Sequence, residues 1–417
     1  MDVGDIDLSD NERFWAAPFE DRLEAYRLLR DEAPYSFHPE PATERFSEGP
    51  GYWAIARHAD VLAVSKAPEL FSSGQGAVIR DLPAEYNEFF GSMLNMDDPR
   101  HARLRGLVSA GFTPQTMGKI EADIRRVAVQ IVDAAAKGDG TGNFVADVAA
   151  RLPLQIICAM MGIPADQYDF VLEQTNIILD PSSNPVGVPR GKAIFEAGGA
   201  LAGLMEEMVA AGPRDDSDDL TSALINAEID GERLTTQEIQ SFFVLLCAAG
   251  NETTRNALAW GLWMLTTHPE ARATLLADFD RLAMKASDEI VRYITPVNQF
   301  RRTVTRDGVA LGEGEHRHVF AEGDKVVLLY GSANRDPRAF DEPDRFDVTR
   351  DPNPHVGFGG PGPHFCLGAH LARREMVVMF GELFNRFPNL VSVGDPDRIV
   401  SNQIHGIRRL GYELSPA

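Results

Sequence analysis

The chain has 417 residues, of which 44% are hydrophobic and 24% charged, ordinary proportions for a globular protein with a sizeable core. Its formal net charge of -22 argues against nucleic acid and anionic membrane surfaces as partners, because both select for Lys and Arg. The three cysteines, Cys158, Cys247 and Cys366, lie far apart with no CxxC, which disfavours zinc and disulfide readings and suits a reducing cytosol.

The acidic start, MDVGDIDLSDNERFW, lacks the basic and apolar regions of a signal peptide. No apolar run reaches the roughly 18 residues of a membrane helix. A cytoplasmic protein without a membrane span is expected. Residues 51–56 (GYWAIA) read as a strand, and the Gly- and charge-rich residues 72–93 as a mobile loop outside the core. Helical patterns then dominate, without an internal repeat, and are interrupted by loops at 180–191 and 212–220.

A capping box at Thr235 and Glu238 opens the longest helix, which runs to His268-Pro269. Over 30 residues give it roughly 45–50 Å at ~1.5 Å per residue, enough to cross the core. Its middle, LLCAAGNETTRNALAWG, has small residues that leave room for something flat or for a close-packed neighbour. Glu252 and Thr253 follow that gap, where a buried helix should be apolar. Two readings fit them: a partnered polar patch, or an acid–hydroxyl pair for proton transfer. A strand at 325–330 (KVVLLY) and short apolar pieces near the C-terminus complete a mainly α fold with a smaller β-rich lobe, read as one domain over 1–417.

Residues 355–376, HVGFGGPGPHFCLGAHLARREM, hold Cys366 between glycines and a helix that Pro388 closes. A helix N-terminus favours a thiolate, Gly368 lets backbone approach the sulfur, and Phe358 can shield it. A lone cysteine is ordinarily an inert core residue, but such a residue needs neither five glycines nor an upstream aromatic. One thiolate is too few ligands for zinc. It suits a haem iron whose other four ligands come from the porphyrin.

The stretch from Phe358 to Gly368 resembles the haem-binding loop of cytochrome P-450 monooxygenases, F-G-x-x-G-x-[HR]-x-C-x-G. Two further motifs agree in order and spacing. Ala249-Gly250-Asn251-Glu252-Thr253-Thr254 is similar to the family's [AG]-G-x-[DE]-T-T, and Glu289 with Arg292 to its E-x-x-R, whose ion-pair set Arg345 in PDRF would complete. The resemblance implies the P-450 fold, with heme b between the central helix and the Cys-bearing loop, and no fused reductase or membrane anchor.

By the same resemblance, Cys366 is the axial iron ligand, with Phe358, Gly359, Gly368, Ala249 and Gly250 against the haem. His101, Arg105, Arg301 and His364 bind its propionates, His101 and Arg105 sharing one helical face. Glu252 and Thr253 relay protons for dioxygen activation. Ala248, Ala249, Val297, Asn298 and the His405 region line the substrate pocket under the 72–93 lid. AAGNETTRNALAWG and LPLQIICAMMGIP, with two other stretches, look most like actinobacterial hydroxylases acting on terminal methyls of methyl-branched fatty acids, isoprenoids and sterol side chains. Polar Asn298 and Gln299 admit an ester or alcohol group on the substrate.

A monomeric monooxygenase is therefore expected, taking O2, a small hydrophobic substrate and electrons from NAD(P)H through a reductase and a ferredoxin. The ferredoxin would dock on a basic patch of Arg103, His370, Arg373 and Arg374. Steroid side-chain or terpenoid hydroxylation is the alternative. A peroxygenase, whose relatives usually lose the acid–alcohol pair, and a non-enzymatic haem sensor rank behind it.

Overall fold

The computed structural model describes residues 1–43, 47–110, 114–138, 140–179, 183–213, 219–229 and 231–414. Helices make up most of the molecule, and the strands gather in a smaller part. A five-stranded sheet runs in the order Tyr35–His38, Tyr52–Ile55, Lys325–Leu329, Gln299–Val304, Phe71–Ser72. All neighbours are antiparallel except Tyr52–Ile55 with Lys325–Leu329. Every residue of Lys325–Leu329 is buried, as an unbroken apolar run covered on both faces should be. Even its lysine is inside, with Nζ 2.7 Å from Glu40 Oε2 and 2.8 Å from Asp81 Oδ2. The C-terminal strands Val391–Ile399 and Gly406–Glu413 pair with Thr141–Asn143 in a second antiparallel sheet.

The central helix spans Thr236–Thr267, 32 residues, or about 48 Å at ~1.5 Å per residue. Both halves of its capping box form: Glu238 N–H donates to Thr235 Oγ1 at 3.1 Å, and Thr235 N–H to Glu238 Oε2 at 2.9 Å. Its small residues admit close neighbours. A Cβ on Gly250 would lie 2.8 Å from Ile157 Cδ1, and one on Gly261 would lie 2.7 Å from Phe380 Cζ. Phe380 belongs to helix Ala369–Arg386, so at Gly261 that helix packs directly against the central one.

Of the expected loops at 180–191 and 212–220, residues 180–182 and 214–218 lie outside the described residues. Residues 72–93 depart from the expectation of a segment wholly outside the core. Ser73, Ala77 and Ile79 are buried, and Ile79 joins the N-terminal apolar cluster. Helix Ala84–Gly91 then brings Phe89 and Phe90 against helix Arg190–Ala210, where Phe90 fills the space a Cβ on Gly198 would need. Ser241 Oγ of the central helix donates to the Glu88 and Phe89 carbonyls. Among the described residues, no helix is long and apolar enough to cross a membrane.

Candidate active site

Cys366 sits three residues ahead of helix Ala369–Arg386 in a tightly closed loop. Its N–H donates to the Phe358 carbonyl at 2.9 Å, and Phe365 N–H to the Gly362 carbonyl at 3.1 Å. Gly359 adopts a φ of +85°, open to glycine at little cost. A side chain on Gly362 would collide with the Ser65 carbonyl, so the loop lies directly on the end of helix His58–Lys66. Phe358 is capped by Arg373, whose guanidinium lies 4.4 Å from the ring centroid. Asp288 holds that arginine in place, accepting from Arg373 Nε at 2.6 Å and lying 3.1 Å from His355 Nε2.

Cys366 is exposed as a residue, but desolvation raises its thiol pKa above the ordinary value. The Gly368 N–H, Arg105 and Arg373 pull the other way and do not win. Burial and the helix terminus thus act on this thiol in opposite senses. A bound metal cation would supply the missing charge, since a coordinating thiol is deprotonated outright.

Four basic groups converge beside this loop. The rings of His101 and His364 lie 4.3 Å apart, and Arg105 Nη2 donates to the Phe365 carbonyl at 2.7 Å. Burial pushes His364 down to about 3, helped by repulsion from Arg302, His101 and Arg105. Burial also lowers His101, against the opposing pull of Asp98. His101 Nε2 is buried with no partner. Such mutual repulsion leaves a place for an anionic group.

Arg301 does not take part. Its Nη1 donates to Asp81 Oδ1 at 2.5 Å and its Nη2 to Thr303 Oγ1 at 3.1 Å. Alternation along Gln299–Val304 sends Arg302 to the other face, where it repels His364; its guanidinium donates to the Arg301 carbonyl at 2.7 Å. Of the two arginines it is therefore Arg302 that stands toward His364, while Arg301, the expected one, is occupied by Asp81 and Thr303.

An iron porphyrin fits this set. Cys366 would hold the iron through its sulfur, and His101, Arg105, Arg302 and His364 would meet the carboxylates. Among the described residues, no cluster of three or more His, Cys, Asp or Glu side chains could hold a bare metal ion, so the remaining ligands would have to come with the cofactor.

On the central helix, Ala249 is exposed, and Leu245, Leu246, Ala248, Gly250 and Thr253 are half-buried, although most of the helix is inside. This open, mostly apolar strip is where a substrate could lie. Thr253 Oγ1 donates back to the Ala249 carbonyl at 2.8 Å, as a helical threonine does when no better acceptor is present. Glu252 is buried and clamped: Arg255 Nη2 donates to its Oε2 at 2.5 Å and Asn256 Nδ2 to its Oε1 at 2.9 Å. Arg255 Nη1 also reaches Asn176 Oδ1, at 3.4 Å, on helix Tyr168–Leu179. Glu252 and Thr253 thus share the helix but not a hydrogen bond.

Glu289 and Arg292 are both fully buried in a bidentate pair, each contact 2.8 Å. Arg345 does not complete the set. Its side chain is exposed and pairs with Glu342 at 3.0 Å, and only its carbonyl accepts from Arg292 Nη2. Arg350 does so instead, with Nε 3.1 Å from Glu289 Oε2. Asp347 N–H and Asn353 Nδ2 complete the hydrogen bonds to that carboxylate.

The expected pocket residues divide. Ala248 and Ala249 lie on the open strip, and half-buried Val297 bridges to Ile404. Asn298 and His405 lie elsewhere. Asn298 Nδ2 donates to the Ser401 carbonyl at 3.1 Å. His405 Nδ1 lies 2.5 Å from the Ile294 carbonyl, and its ring stacks on Phe19 at 5.3 Å. Both line a separate small cavity with Arg22. Gln299 is buried with neither side-chain polar atom partnered.

The docking arginines are each engaged by acids. Arg103 meets Glu232 and Glu238, Arg373 meets Asp288, and Arg374 meets Glu121. His370 is exposed. The patch is therefore far less positive than its sequence reads.

Glu375 escaped the sequence reading. It is buried on helix Ala369–Arg386, one Oε has no partner, and burial drives it up to about 8 despite a hydrogen bond from Thr254. The available signal was its place four residues after Leu371 and four before Met379, on an apolar stripe.

The family model for cytochrome P450 matches residues 191–414. A methyl-branched lipid omega-hydroxylase of Mycobacterium tuberculosis is 44% identical over 413 residues, 98% of this chain and 94% of the relative. A steroid C26-monooxygenase of Rhodococcus jostii is 36% identical, covering 93% of this chain and 81% of its own length. In structure, a Mycobacterium marinum cytochrome P450 in complex with pseudoionone superposes with a TM-score of 0.88 at 41% identity, 98% of each chain being covered.

Proposed function

Because this chain belongs to the cytochrome P450 family and is a haem-dependent monooxygenase, we propose that it hydroxylates the terminal methyl of a methyl-branched lipid. The observation that supports this substrate class is the 44% identity, across 98% of the chain, to a methyl-branched lipid omega-hydroxylase. The strip of Leu245, Leu246, Ala248 and Ala249 offers an alkyl chain an apolar wall that ends at the Thr253 hydroxyl.

Haem b would be held through Cys366, with His101, Arg105, Arg302 and His364 to meet its carboxylates, and would supply dioxygen activation and oxidation of an unactivated C–H bond. The chain supplies the rest. Arg373, stacked on Phe358, keeps the Cys366 loop rigid and dry on that side. Thr253 must turn its proton from the Ala249 carbonyl toward the reacting oxygen. Glu252 must leave Arg255 and Asn256 before it can carry a proton, so the clamp sets the resting state. Electrons come from NAD(P)H through a reductase and a ferredoxin docking near the exposed Phe365, and the enzyme acts as a monomer.

The test offers the reconstituted holoenzyme, with ferredoxin and reductase, three substrates: a methyl-branched fatty acid, an acyclic terpenoid, and a steroid with an isoprenoid side chain. Omega-hydroxylated fatty acid should form with kcat/KM at least about tenfold above the others. Preference for the steroid would overturn the substrate assignment. Turnover with hydrogen peroxide alone at the same rate would overturn the electron route.

A further inference from the structure

Arg22, on helix Phe19–Glu32, is a buried cation without a buried acid beside it. Only 4% of its surface is exposed, and among the described residues no carboxylate forms an ion pair with it. Its Nη2 lies 3.4 Å from His405 Nε2, and its Nε has no partner. His405 Nδ1 lies against the Ile294 carbonyl, which leaves Nε2 as the ring's acceptor and the imidazole neutral. A guanidinium buried in this state has no counter-charge to offset its lost hydration.

On its other side Arg22 borders a cavity lined by Asp5, Asp7 and Asp21, and Glu20 attracts it from the surface, but none of these acids reaches the small cavity beside His405. Arg398 repels Arg22, and among the described residues its own guanidinium is bound only by the Ala16 and Ala17 carbonyls. Arg335, which also repels His405, finds an acid only in Asp344, on the surface. Burial keeps Tyr26 protonated, up to about 12, so its hydroxyl stays a donor. Next to these groups lies a small cavity with ≈ 10 Å³ of room for the centre of a guest, about one water-sized particle. No carboxylate among the described residues lines it.

We propose that this cavity is a binding site for one small monovalent anion, chloride in practice, held by Arg22 with donors from Tyr26 and Asn298. The anion supplies the counter-charge that the fold omits. It would tie the N-terminal helix to Ile294 and Thr295, at the end of the helix that carries Glu289 and Arg292. It is unrelated to the haem and to the substrate pocket.

Crystals of the holoenzyme grown without chloride and soaked in bromide would locate the ion by anomalous scattering. A peak beside Arg22 is expected. In solution, the melting temperature should climb with sodium chloride and saturate, as a ligand specific for the folded state requires, and should not climb with sodium gluconate at equal ionic strength. Arg22→Met should remove the difference between the two salts. Density without an anomalous signal, or equal melting in both salts, means that the cavity holds only water and overturns the proposal. The bromide map on the unsubstituted protein decides the matter even if Arg22→Met does not fold.

Discussion

Replacing Glu375 by glutamine should make the protein more stable, relative to the wild type, at neutral pH than in acid. Burial raises the carboxyl to about 8 in the folded chain, against 4.5 when unfolded. Between those values the folded state keeps a proton that the unfolded state has lost. Stability is therefore complete below about pH 4.5, falls as pH rises through the window, and levels off above about 8. Each unit is worth ~1.36 kcal/mol, so from about pH 5 to about pH 7.5 the wild type should lose about 3 kcal/mol through this one group. Glutamine has nearly the same shape, cannot ionise, and can still accept from Thr254. Urea unfolding of the holoprotein, wild type and Glu375→Gln, at those two pH values gives the double difference. The variant should gain ~3 kcal/mol on the wild type between the lower and the higher pH. A variant less stable at both, by the same amount, would show that Glu375 is ionised and paired when folded.

Thr253→Ala should leave substrate binding and the first reduction nearly intact while product per NAD(P)H falls several-fold and hydrogen peroxide rises; full coupling would reduce Thr253 to a packing residue. Arg302→Leu should speed haem loss to an excess of apomyoglobin at least about tenfold, whereas Arg301→Leu, which breaks the Asp81 pair, should lower stability without that effect; equal haem loss in both would refute the assignment by face. Arg350→Ala should cost about 3–5 kcal/mol in urea unfolding because it removes a partner from the buried Glu289, and Arg345→Ala less than about 1 kcal/mol.

What the sequence discloses and what it hides follow from the range of each interaction. The central helix is legible because its stop and start are local: Thr235 with Glu238 at one end, His268-Pro269 at the other. The Cys366 loop is legible for the same reason, its glycines and cysteine being contiguous. Arg301 and Arg302 are adjacent, and only the register of Gln299–Val304 decides which faces His364. Arg345 and Arg350 stand five residues apart in a segment without regular structure, where no periodicity selects the one that reaches Glu289. The place of His405 depends on Phe19, Trp260 and Ile294, contacts that span more than a hundred residues. The clamp on Glu252, by contrast, has i+3 and i+4 spacing and could have been read directly from Arg255 and Asn256.

The glycine at 261 bears on how this enzyme could be redesigned. With Phe380 pressed against the bare backbone there and stacked on Phe384 behind it, the helix following the sulfur ligand and the helix bearing Thr253 are seated on one another through protein alone. The span from sulfur to hydroxyl is then a dimension of the scaffold. Substitutions in Ala84–Gly91 or Arg190–Ala210 can reshape what enters without altering that dimension, since neither helix lies at the joint. A methyl group at 261 would act in the opposite sense, wedging the two halves of the reaction apart while leaving every substrate contact in place.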